Sequence, residues 1–275
     1  MELDQLYKKL GKAPLFRLSF LEKHPHIINQ RDDLSLERII LYNLLGRHEQ
    51  SLELLMSRKF HPWEGGEGKV TGQYLFANIE LAKNAINSRE YRNAIKFLQA
   101  TQSYPPDLGE GKLYGAQEND INYWMGCAFD GLGENEKAVE FWKKSSAGLE
   151  EPLPAIFYND QQPDKIFYQG LALLKLAQQE EANKRFTKLI QYGEKHISDN
   201  VKIDYFAVSL PDLSLWKEDI NKRNKISCTY LIGLGYLGLG NFNKAKENLL
   251  KVTRMDINHQ GTQIHLSMIK NYSDQ

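Results

Sequence analysis

The sequence GLGYLGLGNFNKAKENL at residues 233–249 decides the fold of this chain. After the first glycine, Tyr236 stands three positions later, Gly240 marks a turn, and Ala245 precedes the bulky Leu249 by four positions. Two antiparallel helices approach closely only where small residues meet, and a large residue four positions on fills the groove beside them. The stretch therefore predicts two antiparallel helices joined by a glycine turn.

The same pattern recurs along the chain. At residues 126–142 Ala138 is followed by Trp142, and at residues 170–186 Ala182 is followed by Phe186. This is the spacing of tetratricopeptide (TPR) repeats, each of which is one helix pair of a stacked array. Small residues anchor the second helix at intervals of 43, 44, 44 and 63 residues: Ser51, Ala94, Ala138, Ala182 and Ala245. Since a plain TPR repeats about every 34 residues, every connection carries extra residues.

These anchors define a predicted architecture. We predict an all-α protein, a right-handed α-solenoid of about five TPR-like helix pairs with non-TPR inserts, forming a single domain over residues 1–275. We expect the repeats at about 34–58, 73–104, 119–148, 165–196 and 226–254. An insert is expected at 200–224. A C-terminal capping helix at 260–272 is expected to cover the open end of the array.

Composition limits the classes of function. The 275 residues include 35 Lys plus Arg and 35 Asp plus Glu, so no net field favours nucleic acid or an anionic membrane. No apolar run approaches the roughly 20 residues that span a bilayer, and the first four residues do not resemble a signal peptide. Cys127 and Cys228 are expected to be small buried packing residues. We therefore expect a cytoplasmic protein with no metal and no cofactor.

Two matches to phosphate-binding motifs lack the neighbouring residues or the secondary structure that such motifs require. Residues 233–238 match G-x-G-x-x-G, but that fingerprint needs a preceding strand, and these residues lie inside a predicted helix. Gly-Glu-Gly-Lys occurs at 66–69 and at 109–112. A phosphate-binding loop also needs an earlier glycine and a following Ser or Thr, which both copies lack. The simplest interpretation is a glycine-rich turn that starts a helix, with Glu near the helix N-terminus complementing the dipole.

The first copy also allows a ligand loop. Within nine residues it combines an aromatic ring with ionic donors and acceptors: His61, Trp63, Glu64, Glu67 and Lys69. An aromatic face and a carboxylate together often hold a sugar ring. We expect Trp63 to pack into the array and to fix the loop. Glu64, Glu67 and Lys69 would then lie near one rim of the concave groove. Asp204 and Tyr205 of the 200–224 insert would complete a composite pocket if both segments lie on the same face.

Aligning the repeats brings three rings to one position. Tyr123, Phe167 and Tyr230 each stand three residues before the glycine of a first helix, a position that faces the concave groove in TPR geometry. They are binding-residue candidates, expected to be partly solvent-accessible or covered by residues 200–224. The alternative is ordinary packing between neighbouring repeats.

Three further stretches carry a family resemblance. They are YNLLGR at 42–47, FHPWEGGEGKV at 60–70 and KIDYFAVSLPD at 202–212. Together they resemble a bacterial family that joins a galactose-mutarotase-like β-sandwich to a C-terminal TPR array, and this chain resembles the TPR part only. The resemblance implies a helical module that docks beside a sugar-handling domain, and it carries over no catalytic residue.

The sequence predicts a non-catalytic scaffold. We expect a protein or peptide, or a neighbouring β-sandwich domain, to bind its concave face, with no nucleic acid and no membrane as partners. The alternative is an accessory module of a carbohydrate-active enzyme that contributes loops to a sugar-binding site.

Overall fold

The computed structural model describes residues 1–63, 65–154, 162–201 and 219–273, and the regular structure in these ranges is helical. No strand occurs among them, which confirms the predicted all-α class. The described residues form two compact units. Unit 1 contains residues 1–84 and 96–114, and unit 2 contains residues 85–95, 115–201 and 219–273. The single continuous domain expected from the sequence stays a prediction, and each unit is described by itself.

Helices lie at each of the predicted repeat positions, and short helices precede them. The first seven are α1 (Glu2–Lys9), α2 (Pro14–Leu21), α3 (Pro25–Asn29), α4 (Asp32–Leu44), α5 (His48–Met56), α6 (Lys69–Asn87) and α7 (Tyr91–Ala100), followed by a 3₁₀ turn at Pro106–Leu108. The next seven are α8 (Asn119–Gly131), α9 (Asn135–Ser146), α10 (Pro163–Lys175), α11 (Gln179–His196), α12 (Ile220–Gly238), α13 (Phe242–Met255) and α14 (Gln260–Ser273).

The helix pairs share one turn geometry. A left-handed residue ends the first helix of each pair, with φ between 59° and 77°: Gly46, Arg89, Gly133, Ala177 and Gly240. In every pair the next residue donates its backbone N–H to a carbonyl five positions earlier, for example Asn241 to Tyr236 at 2.9 Å. This is the Schellman ending of a helix, which satisfies carbonyls that the helix leaves unpaired. The recurrence of this turn shows that all five pairs are built to one plan.

Close packing in unit 2 depends on glycine meeting a bulky side chain. A Cβ added at Gly126 would lie 2.3 Å from the Trp142 ring, and one at Gly170 would lie 2.3 Å from the Phe186 ring. The bulky residue thus occupies the space above the glycine itself. The sequence interpretation, which placed that residue in the groove beside a glycine–alanine contact, is corrected on this point.

The G-x-G-x-x-G stretch has a packing role. It lies inside α12, as predicted. A Cβ at Gly235 would come within 2.6 Å of the Phe186 carbonyl oxygen, and one at Gly238 within 2.1 Å of the Phe186 ring. These glycines therefore allow α11 and α12 to approach closely.

Unit 2 is assembled by packing between neighbouring helices. Each of its helices from α8 to α14 packs against the next, and the first helices of consecutive pairs also pack, α8 on α10 and α10 on α12. This arrangement is typical of a helical-repeat array. The predicted capping helix is present as α14, which packs on α12 and α13. None of the helices in the described ranges combines the length and the apolar character needed to cross a membrane.

Candidate functional site

A fully buried arginine organises the start of unit 1. The Arg17 guanidinium donates to both carboxylate oxygens of Asp4, at 2.9 Å from Nε and 2.6 Å from Nη2, and to Glu37 Oε2 at 2.8 Å. The Lys8 ammonium lies 3.4 Å from Glu37 Oε1. Burial by itself raises the pKa of Glu37, but the charges of Lys8 and Arg17 and their hydrogen bonds bring it below the ordinary value. Asp4 of α1 thus faces inward, and Lys8 on the same face reaches the network from its edge.

The same helix presents its leucines to solvent. Leu3 and Leu6 of α1 and Leu10, the C-cap residue that directly follows it, have the i, i+3, i+7 spacing of one helical stripe. Their exposed fractions are 43%, 37% and 61%. Two neighbouring side chains of α2, Leu15 and Phe16, are also exposed. We call these five residues the α1–α2 apolar surface.

The inverted orientation of α1 has a clear physical cause. A buried guanidinium without carboxylate partners would cost several kcal/mol, far more than leaving a leucine partly exposed. Asp4 and Lys8 stand four positions apart and so share a helical face, and that face must turn toward Arg17 and Glu37. The leucine stripe consequently points outward. An exposed apolar surface of this kind often marks a protein-interaction site.

The candidate ligand loop of unit 1 is anchored at several points. His61 has an exposed ring, and its backbone N–H and its Nδ1 lie 2.9 Å and 3.1 Å from Asp32 Oδ2. Trp63 is half-buried and packs against the apolar cluster that contains Phe60 and Leu108, so it anchors the loop as expected. A Cβ at Gly66 would lie 2.2 Å from the Trp63 ring, so this glycine makes room for the indole.

The charged residues of the same loop differ in how far they are buried. Glu67 is half-buried and Lys69 is exposed at the start of α6. Glu64 lies outside the described residues, as do Asp204 and Tyr205 of the insert, so the composite pocket stays a prediction.

The two Gly-Glu-Gly-Lys copies meet in unit 1. The first forms the turn that starts α6, as predicted, but the acidic group at that helix N-terminus comes from the second copy. Glu110 Oε2 accepts a hydrogen bond from the backbone N–H of Gly68 at 2.8 Å, and the Thr71 hydroxyl lies 3.4 Å from the same oxygen. A carboxylate at this position complements the helix dipole. The second copy starts no helix, because α8 begins only at Asn119.

The three predicted groove rings are buried. Tyr123, Phe167 and Tyr230 expose only 6%, 0% and 4% of their surfaces, so the first of the two expected arrangements, partial solvent access, is not found. Phe167 meets His265 of α14 edge-on with ring centroids 5.1 Å apart, and the Tyr230 hydroxyl lies 2.9 Å from His265 Nδ1. Helix α14 thus contacts two of the three rings, Phe167 and Tyr230, through His265. Whether the 200–224 insert adds further cover lies outside the described residues.

The two cysteines are described by their burial and by the pKa of their thiols. Burial raises the pKa of both Cys127 and Cys228 to about 11, so the reactive thiolate is disfavoured. Neither forms a disulfide. No group of three or more potential ligands of the His, Cys, Asp and Glu types occurs within the described part of the chain.

Comparison with known proteins identifies no family. No family model matches the chain. A solved structure named "MamA RS-1 ArsTM double mutant" is 16% identical, with a TM-score of 0.37, over 70% of this chain and 92% of that chain. A likeness at this level shows neither a shared family nor a shared function. The resemblance to proteins with a β-sandwich and a TPR array therefore stays a proposal.

Proposed function

We propose that this chain is a non-catalytic helical-repeat module that binds a protein domain through the α1–α2 apolar surface. The inverted orientation of α1 carries this inference, because it leaves a leucine stripe exposed where a folded chain would ordinarily bury it. The rings expected to line a concave groove are buried, so the binding surface is assigned to α1 and α2 instead.

The size of this surface favours a partner domain held close by. Five side chains exposed by about half present roughly 400 Å² of apolar area, about half of what one partner contributes to a standard stable interface. A second copy of this chain meeting the same surface would bury too little for a stable dimer. A domain linked to the module, or held beside it in a complex, binds at a high effective concentration and needs less area.

A galactose-mutarotase-like β-sandwich is the partner that the sequence resemblance suggests. In that family the sandwich precedes the TPR array. The helices nearest to it in sequence would correspond to α1 and α2 of this chain. The module would then position a sugar-handling domain without performing chemistry itself.

Isothermal titration of this chain with a purified β-sandwich domain of that family tests the proposal. We expect measurable binding that the double substitution Leu6→Lys with Leu10→Lys weakens at least about tenfold, equivalent to about 1.4 kcal/mol. Leu250→Lys is the matched control, since Leu250 on α13 has the same 37% exposure as Leu6. Absence of binding, or equal weakening by the control, would refute this partner and surface.

A further inference from the structure

We propose that His259 makes the packing of the C-terminal helix in unit 2 dependent on pH. The neutral imidazole fixes the start of α14, and acidification below about pH 6.5, where free histidine takes up its proton, favours release of α14 from the rings of Phe167 and Tyr230. The device controls access to aromatic side chains that are buried while α14 is packed. It uses no residue of the α1–α2 apolar surface.

His259 directly precedes α14 and has the N-cap position of that helix. Its Nδ1 accepts a hydrogen bond from the backbone N–H of Thr262 at 3.1 Å, and the Thr262 hydroxyl lies 2.8 Å from the same nitrogen. An N-cap side chain satisfies one of the N–H groups that the first turn of a helix leaves unpaired, and Ser, Thr, Asp or Asn usually has this role. Only an unprotonated Nδ1 can accept that bond. The neutral imidazole is therefore the form that caps α14.

The same imidazole packs on the phenol of Tyr230 in α12. The two ring centroids are 4.6 Å apart. Gly261, the second residue of α14, makes room for this phenol, because a Cβ there would lie 2.4 Å from the Tyr230 hydroxyl oxygen. The start of α14 thus contacts α12 at the residue that caps the helix.

Further along α14, its other contacts are apolar and aromatic. His265 meets Phe167 of α10 edge-on, and its Nδ1 lies 2.9 Å from the Tyr230 hydroxyl. Met268 and Ile269 are buried as well. Release of α14 would expose these side chains to water, which is costly, so the packed state predominates and the released state is a minor population. A change of pH at His259 shifts that balance.

The surroundings of His259 disfavour its charged form. Burial lowers the pKa of this imidazole, and the carboxylate of Asp256, at the C-cap of α13, only partly opposes the effect. A cation at this position also lies at the positive end of the α14 dipole. The Thr262 hydroxyl could accept a bond from a protonated Nδ1, but the Thr262 backbone N–H could not. Tyr230 adds no charge, because burial and then the negative charge of Asp164 on α10 raise its pKa.

The lowered pKa fixes the direction of the effect. Once α14 is released, His259 is hydrated and titrates near the ordinary value of about 6.5. Between that value and the lowered pKa of the packed state, the released state binds a proton that the packed state does not. The contribution of His259 to packing is therefore complete above about pH 6.5 and is lost as the pH falls toward the lowered pKa. One pH unit below 6.5, the released fraction can rise by up to about tenfold.

Hydrogen–deuterium exchange of the whole chain at pH 7.5 and pH 5.5 measures this release. After correction for the intrinsic exchange rates, we expect the protection of the α14 amides to fall at least about threefold at the lower pH. His259→Asn keeps a capping acceptor that does not titrate in this range, so it should keep α14 protected at pH 7.5 and remove most of the fall. His26→Asn, at an exposed position of α3, is the control and should leave the fall unchanged. His265 is present in every variant, so any titration of its own is common to all of them.

An NMR titration of the imidazole nitrogens of the parent protein provides a second test that needs no variant. We expect His259 to have an unprotonated Nδ1 at pH 7.5 and a titration midpoint below the ordinary value of about 6.5. A midpoint at or above that value would overturn the proposal. So would α14 protection that does not change with pH, or a fall of the same size in His259→Asn and in the parent.

Discussion

At the scale of single residues, Arg17 links three helices of unit 1 through its contacts with Asp4 and Glu37. Its side chain has no exposed surface, and it sets which face of α1 is buried. The leucine spacing of α1 alone would favour leucines facing inward. Sequence periodicity could not predict the inversion, because the carboxylate that completes the network, Glu37, belongs to α4 and is 20 residues away from Arg17.

The Arg17 network predicts a large, pH-dependent loss of stability. Arg17→Met leaves the Asp4 and Glu37 carboxylates buried without their guanidinium, which typically costs about 3–5 kcal/mol. In the parent protein Glu37 has a lowered pKa, so its stabilising contribution is present above the pKa of an unfolded glutamate and is lost as the pH falls through the lowered value. The loss in free energy of unfolding caused by Arg17→Met should therefore be largest near pH 7 and smaller below about pH 4.

Urea unfolding of both proteins at the two pH values measures this difference. Arg31→Met is a suitable control, because Arg31 is exposed and pairs with Asp33 at the surface. A deficit that does not change with pH would mean that Glu37 is not ionised by this network.

At the scale of elements, the turn between paired helices was the most predictable feature. Gly46, Gly133 and Gly240 occupy the predicted turn positions, and only glycine adopts a positive φ without steric cost. The pairs in which Arg89 and Ala177 stand at this position keep the same turn. The packing of α14 over Phe167 could not be predicted from the sequence. It depends on His265, which lies nearly 100 residues away in the chain.

Exchanging residues at the turn tests whether the pairs are equivalent. Ala177→Gly should raise the free energy of unfolding, since a left-handed conformation costs a non-glycine residue roughly 1–2 kcal/mol, partly offset by the greater entropy of unfolded glycine. Gly133→Ala should lower it by a similar amount. Thermal unfolding of both variants measures whether each one is more or less stable than the parent protein. A loss of stability in Ala177→Gly would contradict a left-handed conformation at Ala177 and so the turn geometry shared by the five pairs.

Substitution by alanine should have opposite effects on stability at two glycines that lie on different helices. A Cβ at Gly235 meets the backbone oxygen of Phe186, which cannot move without shifting α11. Gly235→Ala should therefore cost about 1–3 kcal/mol. A Cβ at Gly72 in α6 meets nothing within 4 Å. Gly72→Ala should instead stabilise the protein by up to about 1 kcal/mol through helix propensity, and urea unfolding that gave both variants the same sign would refute this packing.

At the scale of the whole molecule, repeat spacing was enough to predict an all-α chain of helix pairs, because each pair depends on local contacts. The candidate sites were less predictable. The α1–α2 apolar surface arises from a buried charge network that joins α1, α2 and α4. Sequence spacing along one helix could not predict which face of α1 that network buries.

The central claim is that the leucines of α1 face outward and bind a partner domain, whereas Asp4 of the same helix faces inward and stabilises the fold. The triple substitution of Leu3, Leu6 and Leu10 by glutamine, which is also a good helix former, tests it directly by urea unfolding. We expect a free energy of unfolding within about 1 kcal/mol of the parent, whereas Leu18→Ala, at a buried position on α2, should cost about 2–5 kcal/mol. A loss of several kcal/mol in the triple variant would show that α1 buries its leucines, and would contradict the proposed docking surface.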